Sequence, residues 1–311
     1  MTGQDGSFLA EQLCERGWRV VGLVRRSASR NLWRIEHILD RVELVDGDLM
    51  DLGSMIDAIR GCDPDHVYNL AAQSFVATSW RQPLLTGDVT GLGAARLLEA
   101  VRIAKPDARV YQAGSSEMFG SAGCAVQNEA TPFYPRSPYG VAKVYAHHLA
   151  VNYRESHGMH VVAGILFNHE SERRGPEFVT RKISRGVARI KAGKQNVLEL
   201  GDMSVRRDWG FAGDYTRAMT AMLEQDEPKD FVIATGESWS VRDFAERAFA
   251  VAGVPMEVHL RHDPSLLRPA DIPSLCGDSS LARSALDWKP EVEFDGLVER
   301  MVLADIAREC P

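Results

Sequence analysis

Two short words hold most of the reactive side chains. In "SPYGVAK" a tyrosine and a lysine, Tyr139 and Lys143, stand four residues apart, so on a helix they share one face. An ammonium beside a phenol lowers the phenol's pKa, and such a tyrosine serves as a base near neutral pH. A chance YxxxK on a surface helix would look the same, so its company decides. Upstream, "QAGSSEMFG" closes the alternating apolar run "ARVYQA" and carries Ser115 and the carboxylate of Glu117. Serine, tyrosine and lysine together can take the proton of a sugar hydroxyl while its carbon gives a hydride to a nicotinamide dinucleotide. Glu117 two residues past that serine is either a further acid/base or an ordinary acid at a helix start.

A place for the dinucleotide exists at the beginning of the chain. "TGQDGSFLAEQLCERG" reads as a glycine turn opening an amphipathic helix, with Gly3, Gln4, Asp5 and Gly6 in the turn. Backbone amides at such a helix N-terminus suit a diphosphate. Two glycines three apart also fit a plain helix start. The following strand ends in Arg25, Arg26 and Ser27, where a fold that prefers NAD usually has an acid; arginines favour the 2′-phosphate of NADP. Asp48 and Leu49 end the next strand in "DGDL". Asp48 can hold an adenine amino group or cap the helix behind it.

These residues need a scaffold, and the sequence alternates accordingly. "WRVVGLV", "VELVDGD", "HVYNLAA", "ARVYQA" and "HVVAGILF" read as strands. "NLWRIEHILD", "LGSMIDAIRG", "GLGAARLLEAVRIAK" and the long "PYGVAKVYAHHLAVNYRESHG" read as helices. Such alternation predicts α/β architecture with a doubly wound parallel sheet of Rossmann type. The strand that should precede the first glycine turn is missing, and we expect an incomplete N-terminus. After Phe167 the pattern becomes charged and irregular, with a helix from near Pro176, a strand-like "NVLELG", the strand "DFVIATG" and proline-rich loops. We expect a cofactor domain of residues 1–167 and about 202–236, and a smaller, mostly C-terminal α/β domain of about 168–201 and 237–311 for a substrate.

The 311 residues suffice for a large core, with 45% hydrophobic and 25% charged positions. A net charge of −7 gives no support for binding nucleic acid or an anionic membrane. No apolar run approaches the roughly 18 residues of a membrane span, and the polar N-terminus does not read as a signal peptide. The five cysteines are scattered and the nine histidines form no metal-ligand spacing; reduced thiols, a cytoplasmic location and no metal site are expected.

The order of many long words resembles one family over nearly the whole chain. "TGQDGSFLAE", "RRSAS", "YNLAAQSFVATSW", "QAGSSEMFG", "FYPRSPYGVAK", "VNYRESHGM", "LFNHESERRG", "RRDWGFAGDY" and "RPADI" are similar to the GDP-mannose 4,6-dehydratase branch of the extended short-chain dehydrogenase/reductases. The resemblance implies Ser115, Glu117, Tyr139 and Lys143 as the catalytic set, with Glu117 removing the C5 proton once a 4-keto group has acidified it. It implies NADP beside Gly3, Gln4, Asp5, Gly6, Arg25, Arg26, Ser27, Asp48, Leu49, Leu70, Ala71, Ala72, Gln73, Ser74, Leu85, Lys143, His169 and Arg174. It implies a GDP-sugar at Ser74, Asn168, Lys182, Arg207 and Arg268, although some of these arginines have Asp202, Asp208 or Asp271 close by as ordinary ion-pair partners. Three positions depart from the pattern: Gly114 for a small hydroxyl residue, Glu172 for a proline, and Leu85 where some members have tyrosine.

Read this way, the chain is a lyase giving GDP-4-dehydro-6-deoxy-D-mannose from GDP-mannose. The same chemistry on a GDP-heptose, and a GDP-4-keto-6-deoxysugar reductase, are the alternatives; Glu117 argues against the reductase. A degenerate sensing or structural subunit is a further alternative, which the intact catalytic set opposes. A homodimer or homotetramer is expected, with the basic loop from Arg25 to Trp33 at an interface.

Overall fold

The computed structural model describes residues 1–28, 31–267 and 270–310. The first half of the chain runs through α1 (Gln4–Glu15), β1 (Val20–Val24), β2 (Val42–Asp46), α2 (Leu52–Cys62), β3 (His66–Asn69), α3 (Val76–Arg81), α4 (Pro83–Thr86), α5 (Gly93–Ala104) and β4 (Arg109–Ala113). It continues with α6 (Pro138–His157), β5 (Val161–Leu166), β6 (Asn168–Glu170), α7 (Val179–Lys191), β7 (Leu198–Leu200), β8 (Arg206–Arg207), β9 (Trp209–Phe211) and α8 (Ala212–Leu223). The last part comprises β10 (Phe231–Ile233), β11 (Trp239–Ser240), α9 (Val241–Ala252), α10 (Met256–His259), β12 (Leu260–His262), α11 (Ser280–Leu286) and α12 (Phe294–Glu309).

Local chemistry sets the boundaries of the helices that matter for the site. Ser137 accepts from the Gly140 amide, Pro138 fills the first position, and Gly158 ends α6 in the left-handed region at φ 65°. Asp51, accepting from the Gly53 and Ser54 amides, starts α2. Ser240 and Asp243 form a reciprocal capping box on α9.

Strands β10, β5, β4 and β3 form one parallel sheet in that order, and β1 pairs with β2, also parallel. Among the described residues no strand joins β1 to β3, which is the place a first strand of this fold would take. A cavity of about 1440 Å³ enters there, lined by both strands, by Leu9 and Leu13 of α1, and by Met55 and Ile59 of α2. Met1 lies partly in the gap, its sulfur so close to Gly22 that a Cβ there would stand 2.6 Å away. The other side of the molecule is closed. Helices α7, α9 and α12 bury Ile183, Val187, Phe244, Phe249, Leu297 and Met301 in one apolar core. Trp239 stacks on Phe294 at 4.7 Å, and the buried Arg181 donates to Asp305 at 2.8 Å. Short pairs β6–β9, β7–β12 and β8–β11 connect this core to the sheet.

Three sequence expectations change in detail. "NLWRIEHILD" forms only a 3₁₀ turn at Glu36–Ile38, because three successive i→i+3 bonds, from Leu32, Ile35 and Ile38 carbonyls, wind the chain so that Ile35 and Ile38 enter the core. The helix expected from near Pro176 begins at Val179. A π-turn over Gly87–Leu92 runs straight into α5. Among the described residues no helix is long and apolar enough to cross a membrane.

The divided sheet has a measurable consequence. Strands β4 and β5 are paired on both edges, whereas among the described residues β1 and β2 pair only with each other. In hydrogen–deuterium exchange, β4 and β5 amides should exchange at least about tenfold more slowly than those of β1 and β2, an opening difference of about 1.4 kcal/mol. Equal protection would contradict a sheet in two parts.

Candidate active site

Ser115, Glu117, Tyr139 and Lys143 all line the large cavity. Strand β4 ends at Ala113, and the chain turns through a 3₁₀ turn at Ser116–Met118 that Ser115 caps, its hydroxyl accepting from the Glu117 amide at 3.2 Å. Tyr139 and Lys143 lie in the first turns of α6. The Lys143 ammonium donates to the Ala113 carbonyl at 2.8 Å, fixing α6 against the end of β4, and sits 5.8 Å from the centre of the Tyr139 ring. Tyr139 is hydrogen-bonded to Ser115.

Burial governs the charges here. It pushes the Tyr139 phenol up to about 12, against the hydrogen bond from Ser115, which works downward. It pulls Lys143 down to about 8, with the Asp5 carboxylate opposing. The lowering expected from the Lys143 ammonium does not act on the phenol here; desolvation dominates, and Ser115 and Arg174 are the groups that oppose it. Gly114 also has a structural reason. Its amide donates to the Gly164 carbonyl at 2.7 Å, and a Cβ would stand 2.8 Å from that same oxygen, so a hydroxyl residue would require the backbone to shift.

Gly3, Gln4, Asp5 and Gly6, which open α1, line the same cavity, with the Asp5 carboxylate near enough to Lys143 and Tyr139 to act on both. A Cβ on Gly3 would meet nothing within 4 Å, whereas one on Gly6 would clash with the Met1 carbonyl at 2.5 Å. Arg25, Leu49, Leu70, Ala71, Ala72, Ser74, His169 and Arg174 line the same space. A bare helix N-terminus, a guanidinium at a strand end and leucine walls have the chemistry to hold a dinucleotide.

Other expected cofactor residues are not brought to this surface. Arg26 and Ser27 are exposed at the end of β1 and do not line the cavity. Asp48 accepts from the Met50 amide while its own amide donates to the Ser54 hydroxyl; it stabilises its own turn, and Asp51 is the cap of α2. The Gln73 amide groups turn to Thr90 and the Phe75 carbonyl. Leu85, 43% exposed on α4, lies away from the cavity.

On the side expected to bind substrate, Asn168, Lys182 and Arg207 line the cavity together with Ser74. Burial lowers Lys182. Arg207 donates to Asp271 at 2.8 Å and to the Ile272 carbonyl at 2.7 Å. The alternative of an ion pair with Asp271 is therefore realised, but with the guanidinium buried rather than on the surface, only 7% of the side chain being exposed. Arg268 and residues 29 and 30 of the basic loop lie outside the described residues. Trp33 is half-exposed, with Arg34 4.4 Å and Arg308 5.7 Å from its ring. Glu172 is held by two bonds from Arg300, at 2.8 and 2.9 Å, which tie the segment after β6 to α12.

Some interactions give no sequence signal because they join distant positions or depend on how the chain folds back. Glu170 accepts from Thr180 at 2.6 Å and pairs with Arg174 at 3.2 Å, while Arg174 stacks on Phe178 at 3.6 Å. Tyr215 lies flat against His169, with ring centres 4.8 Å apart.

Residues 1–301 match the model of the family described as GDP-mannose 4,6 dehydratase. The chain is 49% identical to GDP-mannose 4,6 dehydratase 1 of Arabidopsis thaliana, over 98% of this chain and 88% of that one. It is 46% identical to the Homo sapiens GDP-mannose 4,6 dehydratase, over 98% and 90%. Among solved structures it is similar to RMD from Pseudomonas aeruginosa complexed with NADPH, with a TM-score of 0.78, 24% identity and coverage of 92% and 99%. It is also similar to the Thermus thermophilus UDP-glucose 4-epimerase complex with NAD, with a TM-score of 0.86, 25% identity and coverage of 98% and 96%. The fold is that of these nucleotide-sugar enzymes, and the chain belongs to the GDP-mannose 4,6 dehydratase family.

Proposed function

We propose that this chain converts GDP-D-mannose to GDP-4-dehydro-6-deoxy-D-mannose as a lyase, using tightly held NADP without net redox. The observation that carries the proposal is a carboxylate, Glu117, on the same cavity wall as Ser115, Tyr139 and Lys143. The hydroxyl, phenol and ammonium account for an alcohol oxidation; the acid adds an elimination. A nicotinamide dinucleotide held beside Gly3–Gly6 and Arg25 would supply the hydride acceptor at C4 and donor at C6. Tyr139, bonded to Ser115, acts as the phenolate that the Lys143 ammonium stabilises; it takes the proton of the 4-hydroxyl and becomes the neutral phenol. The 4-keto group acidifies C5. Glu117 takes the C5 proton and passes it to the C6 hydroxyl, which leaves as water. The proton held by Tyr139 then replaces the one lost at C5, so the sum is loss of one water. A GDP-heptose would use the same groups; a simple reductase would have no use for Glu117.

The two ligands divide between the two halves of the chain. Residues 1–167 and about 202–236 carry NADP, with Arg25 on the cavity wall and the exposed Arg26 just beyond it set for its 2′-phosphate. Residues of about 168–201 and 237–311 carry the GDP-sugar, whose diphosphate suits Lys182 and Arg268, with Arg207 reaching it from the cofactor half, where it lines the same cavity. The loop from Arg25 to Trp33 faces a second copy in a cytoplasmic dimer or tetramer.

Two experiments test this division of labour. Glu117→Gln should leave the fold and NADP content unchanged and lower turnover at least about a hundredfold; wild-type turnover in this variant would remove Glu117 from the reaction. In a crossed comparison, Arg25→Ala with Arg26→Ala should weaken NADP strongly, at about 1.5–3 kcal/mol for each charge-assisted hydrogen bond removed, with little change for NAD. Arg207→Ala should raise KM for GDP-mannose at least about tenfold, or about 1.4 kcal/mol, with NADP content unchanged. Effects that do not separate in this way would mean the two ligands have been placed wrongly.

A further inference from the structure

The bond between Asp5 and His169 links α1 to β6 across 164 positions of sequence. The Asp5 carboxylate lies 2.9 Å from His169 Nε2, and His169 Nδ1 lies 2.7 Å from the Phe167 carbonyl oxygen. A carbonyl oxygen only accepts, so Nδ1 carries a proton. Asp5 also accepts from the Gln4 side-chain amide at 3.0 Å. A neutral Asp5 could donate to a bare Nε2, but the carboxyl is held down to about 2 and stays ionised, so Nε2 carries a proton as well and the ring is the imidazolium. The surroundings reinforce this joint: Gln4 donates to the His169 carbonyl at 3.0 Å and accepts from Ser171 at 2.8 Å. The ring rests on Tyr215, whose close packing depends on Gly210, where a Cβ would stand 2.4 Å from the phenol ring.

We propose that Asp5 and His169 form an ion pair that seats the N-terminus of α1 on β6, and that the imidazolium offsets the Asp5 charge where a dinucleotide diphosphate would otherwise meet it. Both are positioning residues. The second half of the inference rests on the dinucleotide reading above. A carboxylate in the first turn of a helix and a diphosphate at the same helix end repel one another; a protonated partner removes the conflict. The titratable and charged groups facing the pair are Arg174 and Lys143 with the Tyr139, Tyr111 and Tyr215 phenols, all three kept neutral by burial; Glu170 faces Arg174 and Tyr215. Burial alone would lower His169, but the Asp5 carboxylate outweighs it and the pKa is raised. A group raised on folding contributes fully below its unfolded value and is lost as pH rises through the folded value. The seat and the affinity for NADP therefore weaken on the alkaline side of the ordinary histidine range.

Nitrogen-15 NMR of histidine-labelled, ligand-free protein tests the pair directly. Wild type should show protons on both His169 nitrogens at about pH 7.5, above the ordinary value of about 6.5. Asp5→Asn should leave only the Nδ1 proton and speed exchange of the Ser7 amide, which bonds to the Gly3 carbonyl; His169→Gln, which leaves the Asp5 carboxylate without its cation, should weaken NADP at least about tenfold, equivalent to about 1.4 kcal/mol. A singly protonated His169 in the wild type, an Asp5→Asn variant with wild-type Ser7 exchange, or a His169→Gln variant with wild-type NADP affinity would overturn the proposal. Absence of NADP binding in the wild type, with both ligand-free results as expected, would count against the dinucleotide reading and leave the ion pair standing.

Discussion

The bond from the Lys143 ammonium to the Ala113 carbonyl is the constraint on which the site depends. A buried ammonium is costly unless it is hydrogen-bonded, and Lys143 is only 4% exposed. The carbonyl at the end of β4 is the partner the side chain finds. Together with the Tyr139–Ser115 hydrogen bond and the packing of Gly140 on the Glu117 carbonyl, that bond ties the turn carrying Ser115 and Glu117 to the helix carrying Tyr139. Burial then holds the phenol neutral and brings the ammonium near 8. The chemistry follows from this arrangement, because a base of this kind acts only when a positive charge or a hydrogen-bonding partner offsets its desolvation.

The phosphate loop is supported differently. With the sheet divided between β1 and β3, α1 has no strand running into it among the described residues. Its N-terminus is held instead from β6, through Gln4, Asp5, Ser171 and His169, and from the segment that follows, through Arg173 and Ser7. Arg34 adds a third tie, donating to the Thr2 and Arg173 carbonyls. Polar bonds from one side thus hold a helix end that a central strand would hold through a continuous ladder.

What is legible in the sequence follows from the range of each interaction. Tyr139 and Lys143 lie one helical turn apart and Ser115 with Glu117 at one strand end, so local periodicity exposes them. The α/β alternation is legible for the same reason. Arg207 with Asp271, Asp5 with His169 and Glu172 with Arg300 are pairings across 64 to 164 positions, and no local pattern announces them. Asp48 and Asp51 show a finer limit: both are acids ahead of α2, and only the backbone geometry decides that Asp51 caps it. The turn at Glu36–Ile38 reads as a helix from sequence because its apolar spacing fits either winding, and burial of Ile35 and Ile38 selects the tighter one.

On the mechanism proposed above, one set of residues removes water from a sugar and the hydride taken from C4 returns to the same sugar. Mass spectrometry and NMR of the product from GDP-mannose deuterated at C4 test this most directly. The account predicts deuterium at C6 of the 4-keto-6-deoxy product, with none left in released cofactor. Deuterium retained on reduced dinucleotide, or a product still bearing its C6 hydroxyl, would contradict it.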